Sequence, residues 1–196
     1  MKSSKILLGF ILILVTITPS FSMDAKKIKF EKRDYSQNKR VKLVGSGYRV
    51  KYFFDVYSIA FYSESGKCDR KDLISSKEAK KIKIVILRDI ERKRFMGTII
   101  EVFNQQVPTN SPEILKEQVQ KFNDLLFRGQ EKVKKGDVYF FDYIPNKALY
   151  LYENSQLVGS INSATDAFMS AFLSIWLGDN SCCPDTLKQI MKCNNK

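Results

Sequence analysis

The chain has 196 residues, a formal net charge of +12 and no histidine. Without histidine there is no Ser-His-Asp triad, no Cys-His dyad and no mixed Cys/His zinc site. Acid–base chemistry would therefore fall to Asp, Glu, Lys or Tyr. An apolar content of 44% argues against disorder, and the length predicts one domain with a substantial core.

The N-terminal residues are typical of a secretory signal peptide. Two lysines precede a short apolar run from Ile6 to Ile17, and serines stand at positions −3 and −1 of a cut after Ser22. A membrane anchor is the alternative, but a bilayer-spanning helix needs about 20 apolar residues. We expect a signal peptide over residues 1–22, a domain over residues 23–196, and export across the inner membrane to the periplasm or cell envelope.

The first half of the domain is predicted to contain mainly strands, followed by one helix. We expect one or two solvent-facing strands over residues 26–43, then a turn at Gly45 and Gly47 and an aromatic-rich extended stretch that ends at Tyr62. A polar loop follows. After it we expect a strand at about Lys81 to Arg88 and a helix that starts at Asp89 or Ile90 and stops before Pro108.

The second half is predicted to contain a helix, a meander and two more helices. We expect a helix from Pro112 with Ser111 as N-cap and Gly129 at its end, a three-stranded meander over residues 137–161, a buried helix with Phe172 and Trp176 in the core, and a short helix opened by Pro184. Helices grouped on one face of antiparallel strands make an α+β domain. The basic run from Arg92 to Arg94 is interpreted as a solvated helix face.

The four cysteines are Cys68, Cys182, Cys183 and Cys193. In an oxidising compartment disulfides are the default. A bond between the two adjacent cysteines would close a strained ring. A local bond from one of them to Cys193 is one option, which leaves Cys68 for the other. The spacing lacks a CxxC-like pair, so we predict no metal site, and nothing in the sequence indicates a cofactor.

Basic charge favours anionic partners. Removal of the signal peptide would leave a net charge of +10. Such a surface attracts acidic ligands and an anionic membrane surface, although solubility alone is an alternative explanation. An exported protein rarely meets nucleic acid, so we expect no nucleic-acid partner.

The stretch "GSGYRVKYFFDVYSIAFY" places two polar side chains, Arg49 and Tyr57, among aromatic residues. On one unbroken strand they would lie about 26 Å apart, at 3.3 Å per residue. They converge only if the chain folds back between Lys51 and Asp55. The alternative is that Arg49 pairs with Asp55 or another carboxylate while Tyr57 merely lines the sheet.

Four stretches together resemble the exported bacterial branch of the chalcone isomerase-like family. They are the Gly-x-Gly-x-Arg stretch above, "ILRDIERKRF", "VKKGDVYFFDYIP" and "LVGSINSATDAFMSAFLSIWLGDNSCCPDTLKQIM". The resemblance spans about Val41 to Met191. It implies an open-faced β-sandwich, in which helices cover one face of a large antiparallel sheet, with a ligand cleft between the two layers.

The resemblance also implies a site. The fatty-acid-binding branch holds a carboxylate with an arginine and tyrosines, and Arg49 and Tyr57 match those positions. The tyrosine and asparagine that chalcone isomerases use are not recognisable in "RDIERKRFMGTIIEVF". We therefore expect a non-catalytic protein, with no catalytic residues, that binds a fatty acid or similar amphiphilic anion. The alternatives are an isomerase or lyase in which Arg49 stabilises an enolate-type anion, and a ligand-free structural module of the envelope.

Overall fold

The computed structural model describes residues 28–193. The expected signal peptide and its cleavage site lie outside these residues. Within them, no helix is both long and apolar enough to cross a bilayer.

Seven antiparallel strands form the main sheet, in the order β1-β2-β3-β4-β7-β8-β9. A second, two-stranded sheet pairs β5 with β6. The strands are β1 (Arg33–Ser36), β2 (Lys39–Lys51), β3 (Phe54–Ser63), β4 (Lys80–Ile86), β5 (Ile90–Glu91), β6 (Lys132–Val133), β7 (Val138–Ile144), β8 (Ala148–Glu153) and β9 (Gln156–Asn162).

Within residues 28–193, five helices accompany the sheet, and their buried faces share its main core. They are α1 (Arg70–Ser75), α2 (Arg92–Gln106), α3 (Glu113–Leu126), α4 (Asp166–Leu177) and α5 (Pro184–Ile190). The predicted α+β class, a large antiparallel sheet with helices packed on it, is confirmed.

An aromatic cluster between α2, α3, α4 and the sheet makes the centre of the core. Phe103, Phe122 and Phe172 pack edge to face with ring centroids 5.3–6.4 Å apart. Trp176 continues the cluster, 5.7 Å from Phe172. The expectation that Phe172 and Trp176 are core residues is confirmed, since both are fully buried.

Some predicted boundaries are wrong. Gly45 and Gly47 lie inside β2 and form no turn. Helix α2 begins at Arg92, because the preceding two residues of β5 pair with β6 instead. The short helix α1 begins within the predicted polar loop and ends before the predicted strand at Lys81, where the sequence indicated no helix. Ser111 is not the N-cap of α3, since Pro112 takes that position without a side-chain hydrogen bond.

The interpretation of residues 92–94 as a solvated face is wrong for one of them. Arg92 is buried, and its Nη2 lies 2.6 Å from Glu153 Oε1. Arg92 Nε also donates to the carbonyl of Gln130. Lys93 and Arg94 are exposed, as expected. The pairing arises because the side chain of Arg92, the first residue of α2, reaches Glu153, the last residue of β8.

A bond between Cys193 and one of the two adjacent cysteines, the option raised from the sequence, is not what the structure shows. The structure pairs Cys68 with Cys193, and Cys182 with its neighbour Cys183. The Cα atoms of Cys68 and Cys193 lie 6.0 Å apart, a normal distance for a disulfide. Because the loop before α1 meets the end of α5, these two cysteines are neighbours in space, and the adjacent cysteines have only each other.

Candidate ligand-binding site

A tight hairpin brings Arg49 and Tyr57 together. Strands β2 and β3 pair so that Arg49 lies directly opposite Tyr57, and Lys51 opposite Phe54, which leaves a two-residue turn. The register shifts next to Arg49, where Val56 is the extra residue on β3. Directly opposed residues in an antiparallel pair project from the same face of the sheet. The fold-back that the two side chains required is therefore present.

Two glycines allow helix α5 to lie directly on β2. A Cβ at Gly45 would lie 1.9 Å from the carbonyl oxygen of Ile190, and one at Gly47 would lie 2.9 Å from that of Thr186. Real Cβ contacts are never so short, so only glycine permits this approach. Since α5 begins directly after Cys183, the Gly-x-Gly pattern fixes where that cysteine sits.

Two hydrogen bonds hold α5 in this position. The hydroxyl of Thr186 donates to the carbonyl of Tyr48 at 3.0 Å, and the backbone N–H of Tyr48 donates to Gln189 Oε1 at 3.0 Å. Tyr48 is the residue before Arg49, so the backbone that carries the arginine is tied to the helix that follows the disulfide.

The disulfide between Cys182 and Cys183 lies against both predicted site residues. Arg49 Nη1 donates to Cys183 Sγ at 2.9 Å. The Tyr57 hydroxyl oxygen lies 3.5 Å from the same sulfur and 3.9 Å from Cys182 Sγ. On its other side, the Tyr57 hydroxyl accepts a hydrogen bond from the indole N–H of Trp176 at 2.9 Å.

Burial governs the chemistry of Tyr57. It raises the pKa of the Tyr57 hydroxyl above its ordinary value, while the nearby Arg49 guanidinium and the hydrogen bond from Trp176 oppose this more weakly. The hydroxyl therefore keeps its proton at neutral pH. Because the indole N–H already occupies a lone pair of the oxygen, this proton is free to be donated to the sulfurs or to a ligand.

Arg49 has no carboxylate partner among residues 28–193. The alternative that it pairs with Asp55 is not what the structure shows. A disulfide sulfur is only a weak acceptor. The guanidinium and the phenol thus form a pair of donors whose protein acceptor is weaker than the oxygen of an anion would be.

Both side chains line a cavity of about 420 Å³ between the β2–β3 hairpin, the segment before α2 and the first turns of α2. This volume is in the usual range for small-molecule sites. Apolar and aromatic walls come from Tyr52, Phe54, Val56, Ile90, Phe95 and Ile99. The remaining lining residues are polar or charged: Lys51, Arg88, Asp89, Glu91, Arg94 and Thr98.

The family model described as chalcone isomerase-like matches residues 22–191. The chain belongs to the chalcone isomerase-like family. No curated protein sequence matches the chain. Among solved structures, the crystal structure of a fatty-acid-binding protein from Arabidopsis thaliana superposes with a TM-score of 0.67. The two share 15% sequence identity over 83% of this chain and 90% of that chain. At this identity the likeness shows the fold alone, which agrees with the predicted open-faced β-sandwich.

Two features of the site in this chalcone isomerase-like protein were not predicted from its sequence. One is the wall from α2, where Phe95 and Ile99 lie four residues apart on one helix face, a spacing that signals a shared surface. The other is the contact between Arg49 and the cysteines. The Pro184 that follows Cys183 marks the start of a helix, but only the packing of that helix on β2 reveals the contact. The ligand-binding roles of Arg49 and Tyr57 stay predictions.

Proposed function

We propose that this chalcone isomerase-like protein binds a fatty acid or a similar amphiphilic carboxylate, without chemical turnover, outside the cytoplasm. The observation that carries the proposal is the pair of donors, Arg49 and Tyr57, side by side in a pocket with apolar walls, where Arg49 forms no salt bridge with a carboxylate of residues 28–193. The fatty-acid-binding protein of similar fold supports the ligand class.

The headgroup interaction follows from the donor geometry. A carboxylate accepts two parallel hydrogen bonds from a guanidinium, and such charge-assisted bonds are about twice as strong as neutral ones. A ligand oxygen would replace the weak sulfur acceptor of Arg49, while the protonated Tyr57 hydroxyl supplies one further donor. The anion therefore gains partners that the protein itself does not satisfy well.

The acyl chain would occupy the apolar part of the pocket. Val56, Phe95 and Ile99 offer walls without hydrogen-bonding groups. Each methylene that enters is worth about 0.8 kcal/mol. Each buried methylene would thus raise the affinity about fourfold and three of them by more than tenfold, so affinity is expected to rise with chain length until the cavity is filled.

Export is supported by two features of the chain. Its N-terminal sequence has the layout of a signal peptide. All four cysteines are joined in disulfides, which persist in oxidising compartments and are rare in the cytoplasm. Mass spectrometry of the protein recovered from its native cells would test the cleavage site after Ser22.

Native mass spectrometry and a fatty-acid titration test the binding proposal. We expect co-purifying lipid in the wild type and a loss of affinity of about tenfold or more in Arg49→Ala, since a hydrogen bond to a charged group is worth about 1.5–3 kcal/mol. Arg40→Ala is the matched control, because Arg40 is exposed at the other end of β2. Equal affinity in both variants would contradict the proposal.

The methyl ester of the same fatty acid separates the contribution of the carboxylate to the affinity from that of the acyl chain. The ester lacks the negative charge but keeps the methylenes, so it should bind the wild type weakly, and its affinity should not change in Arg49→Ala.

Turnover is tested with a panel of chalcones. Conversion that disappears in Arg49→Ala would favour the isomerase alternative over simple binding.

A further inference from the structure

The turn of the β2–β3 hairpin exposes three consecutive aromatic residues. Tyr52 is 81% exposed, Phe53 95% and Phe54 56%. Single exposed apolar residues are ordinary on protein surfaces, but a contiguous patch of this kind marks an interaction site. The adjoining Val50 is also 47% exposed, which extends the apolar surface along β2. We call residues 50–54 the aromatic tip.

The backbone of the aromatic tip is not one that favours aromatic residues. Tyr52 has a positive φ of 59° as the first residue of the two-residue turn. Glycine or asparagine is the usual choice at such a position. Aromatic side chains thus occupy a turn where local conformational preference would select small ones, and they have little protein surface to pack on. Their benefit must come from something outside the chain.

Cations flank the aromatic tip. Lys51, Arg88 and Arg94 are exposed, and none of them forms an ion pair within the described part of the chain. The guanidinium of Arg88 lies over the ring of Phe54, 4.4 Å from its centroid. The nearby carboxylates are Asp55, which follows Phe54 and lies opposite Val50, Asp89, which accepts a hydrogen bond from the backbone N–H of Lys135, and Glu91.

We propose that the aromatic tip inserts into the interface of an anionic phospholipid bilayer. Aromatic rings favour the boundary between headgroups and acyl chains, and neighbouring lysine and arginine residues are attracted to anionic headgroups. The net positive charge of the protein adds to this attraction. Charge complementarity distinguishes this partner from a second copy of the chain, whose equally basic surface would be repelled.

This docking orients the pocket. Tyr52 and Phe54 belong to the aromatic tip and also line the cavity. A tip embedded in the bilayer would hold the hairpin side of the pocket against the lipid, so an amphiphile could move between membrane and protein with little exposure to water. The membrane contact itself stands on the tip and its cations, and it does not depend on the carboxylate interaction with Arg49.

Vesicle flotation tests the proposal on the protein as purified from cells, with its N-terminus established by mass spectrometry. We expect binding to phosphatidylglycerol vesicles, weaker binding to phosphatidylcholine vesicles, and a decrease with added salt. Phe53→Ser should weaken binding to anionic vesicles on the order of tenfold. Phe53 does not line the pocket, so fatty-acid affinity should be unchanged in this variant. The matched control is Leu157→Ser, another exposed apolar residue, on β9, which should have no effect.

A fluorescence measurement reports on the tip alone. Trp176 is the single tryptophan and is buried. A Phe53→Trp variant should therefore show a blue shift with anionic vesicles and quenching by brominated acyl chains, whereas Leu157→Trp should show neither. The proposal is overturned if Phe53→Ser floats like the wild type, if the fluorescence of Phe53→Trp does not respond to vesicles, or if the tip instead mediates dimers that dissociate in Phe53→Ser.

Discussion

Arg49 Nη1 lies 2.9 Å from Cys183 Sγ, and the bonded neighbour of that sulfur belongs to the preceding residue in the chain, Cys182. A cation is thus held in a ligand-sized pocket by an acceptor that is weak and uncharged. The arrangement keeps the guanidinium in place without neutralising it. An incoming anion would find it positioned and unpaired, which reduces the ordering cost of binding.

The glycines of β2 control this arrangement. We expect Gly45→Ala to destabilise the protein by about 3 kcal/mol, because its Cβ would overlap the backbone of α5 and force the helix outward. Urea unfolding measures the change. Gly97→Ala is the matched control: it lies inside α2, and a Cβ there would have nothing within 4 Å, so it should stabilise by about 0.5–1 kcal/mol. Similar destabilisation in both variants would argue against the close packing of α5.

Tyr57→Phe should destabilise the protein by about 1–3 kcal/mol, because the buried indole N–H of Trp176 loses its acceptor. Chemical unfolding monitored by the fluorescence of Trp176, the sole tryptophan, gives the value. As a control, Tyr150→Phe removes a half-buried strand hydroxyl that makes no hydrogen bond within residues 28–193. An unfolding free energy that is unchanged in Tyr57→Phe would mean that the indole finds another acceptor.

The two disulfides should differ greatly in their contribution to stability. The Cys68–Cys193 bond joins residues 125 apart, and loop closure of that length is worth up to about 5 kcal/mol. The Cys182–Cys183 bond joins neighbours, so it removes almost no chain entropy. We expect Cys68→Ala/Cys193→Ala to lower the unfolding free energy severely and Cys182→Ala/Cys183→Ala to lower it little. Calorimetry compares them, and equal losses would contradict the pairing.

Arg92→Ala should cost about 3 kcal/mol or more, because Glu153 would be left largely buried without its cation. The hydroxyl of Tyr139 donates to the same carboxylate at 2.9 Å, and burial raises the pKa of that hydroxyl. The next residue supplies the control: Lys93 is exposed, and Lys93→Ala should change stability by no more than about 0.5 kcal/mol. Equal losses of thermal stability in Arg92→Ala and Lys93→Ala would contradict the ion-pair interpretation.

The sequence predicted the elements whose signals are local. The meander was readable because turn residues such as Asn146 and Asn154 punctuate alternating strands, and both adopt the positive φ that such turns need. Helix α4 was readable because nearly every position is apolar. Strand length showed that Arg49 and Tyr57 converge only if the chain folds back between them, and the fold-back itself was implied by the family resemblance, since no glycine, proline or asparagine marks the turn.

The features that the sequence did not reveal depend on contacts between residues that are far apart in the sequence. Gly45 and Gly47 were interpreted as a turn because glycine usually signals one, whereas here they accommodate a helix roughly 140 residues further on. Arg92 was assigned to the surface by its basic neighbours, and only the position of Glu153 explains its burial. The same applies to the cysteines, whose pairing depends on where the loop before α1 meets the end of α5.

The packing of α5 on β2 also has a consequence for how the protein is made. Arg49 and Cys183 are 134 residues apart, so during synthesis nearly the whole sheet leaves the ribosome before the cysteine that contacts the arginine exists. Domains emerge N-terminus first. The pocket can therefore be completed only at a late step, and a chain interrupted before Cys182 would have the hairpin and its aromatic residues without the disulfide and the helix α5 that position Arg49.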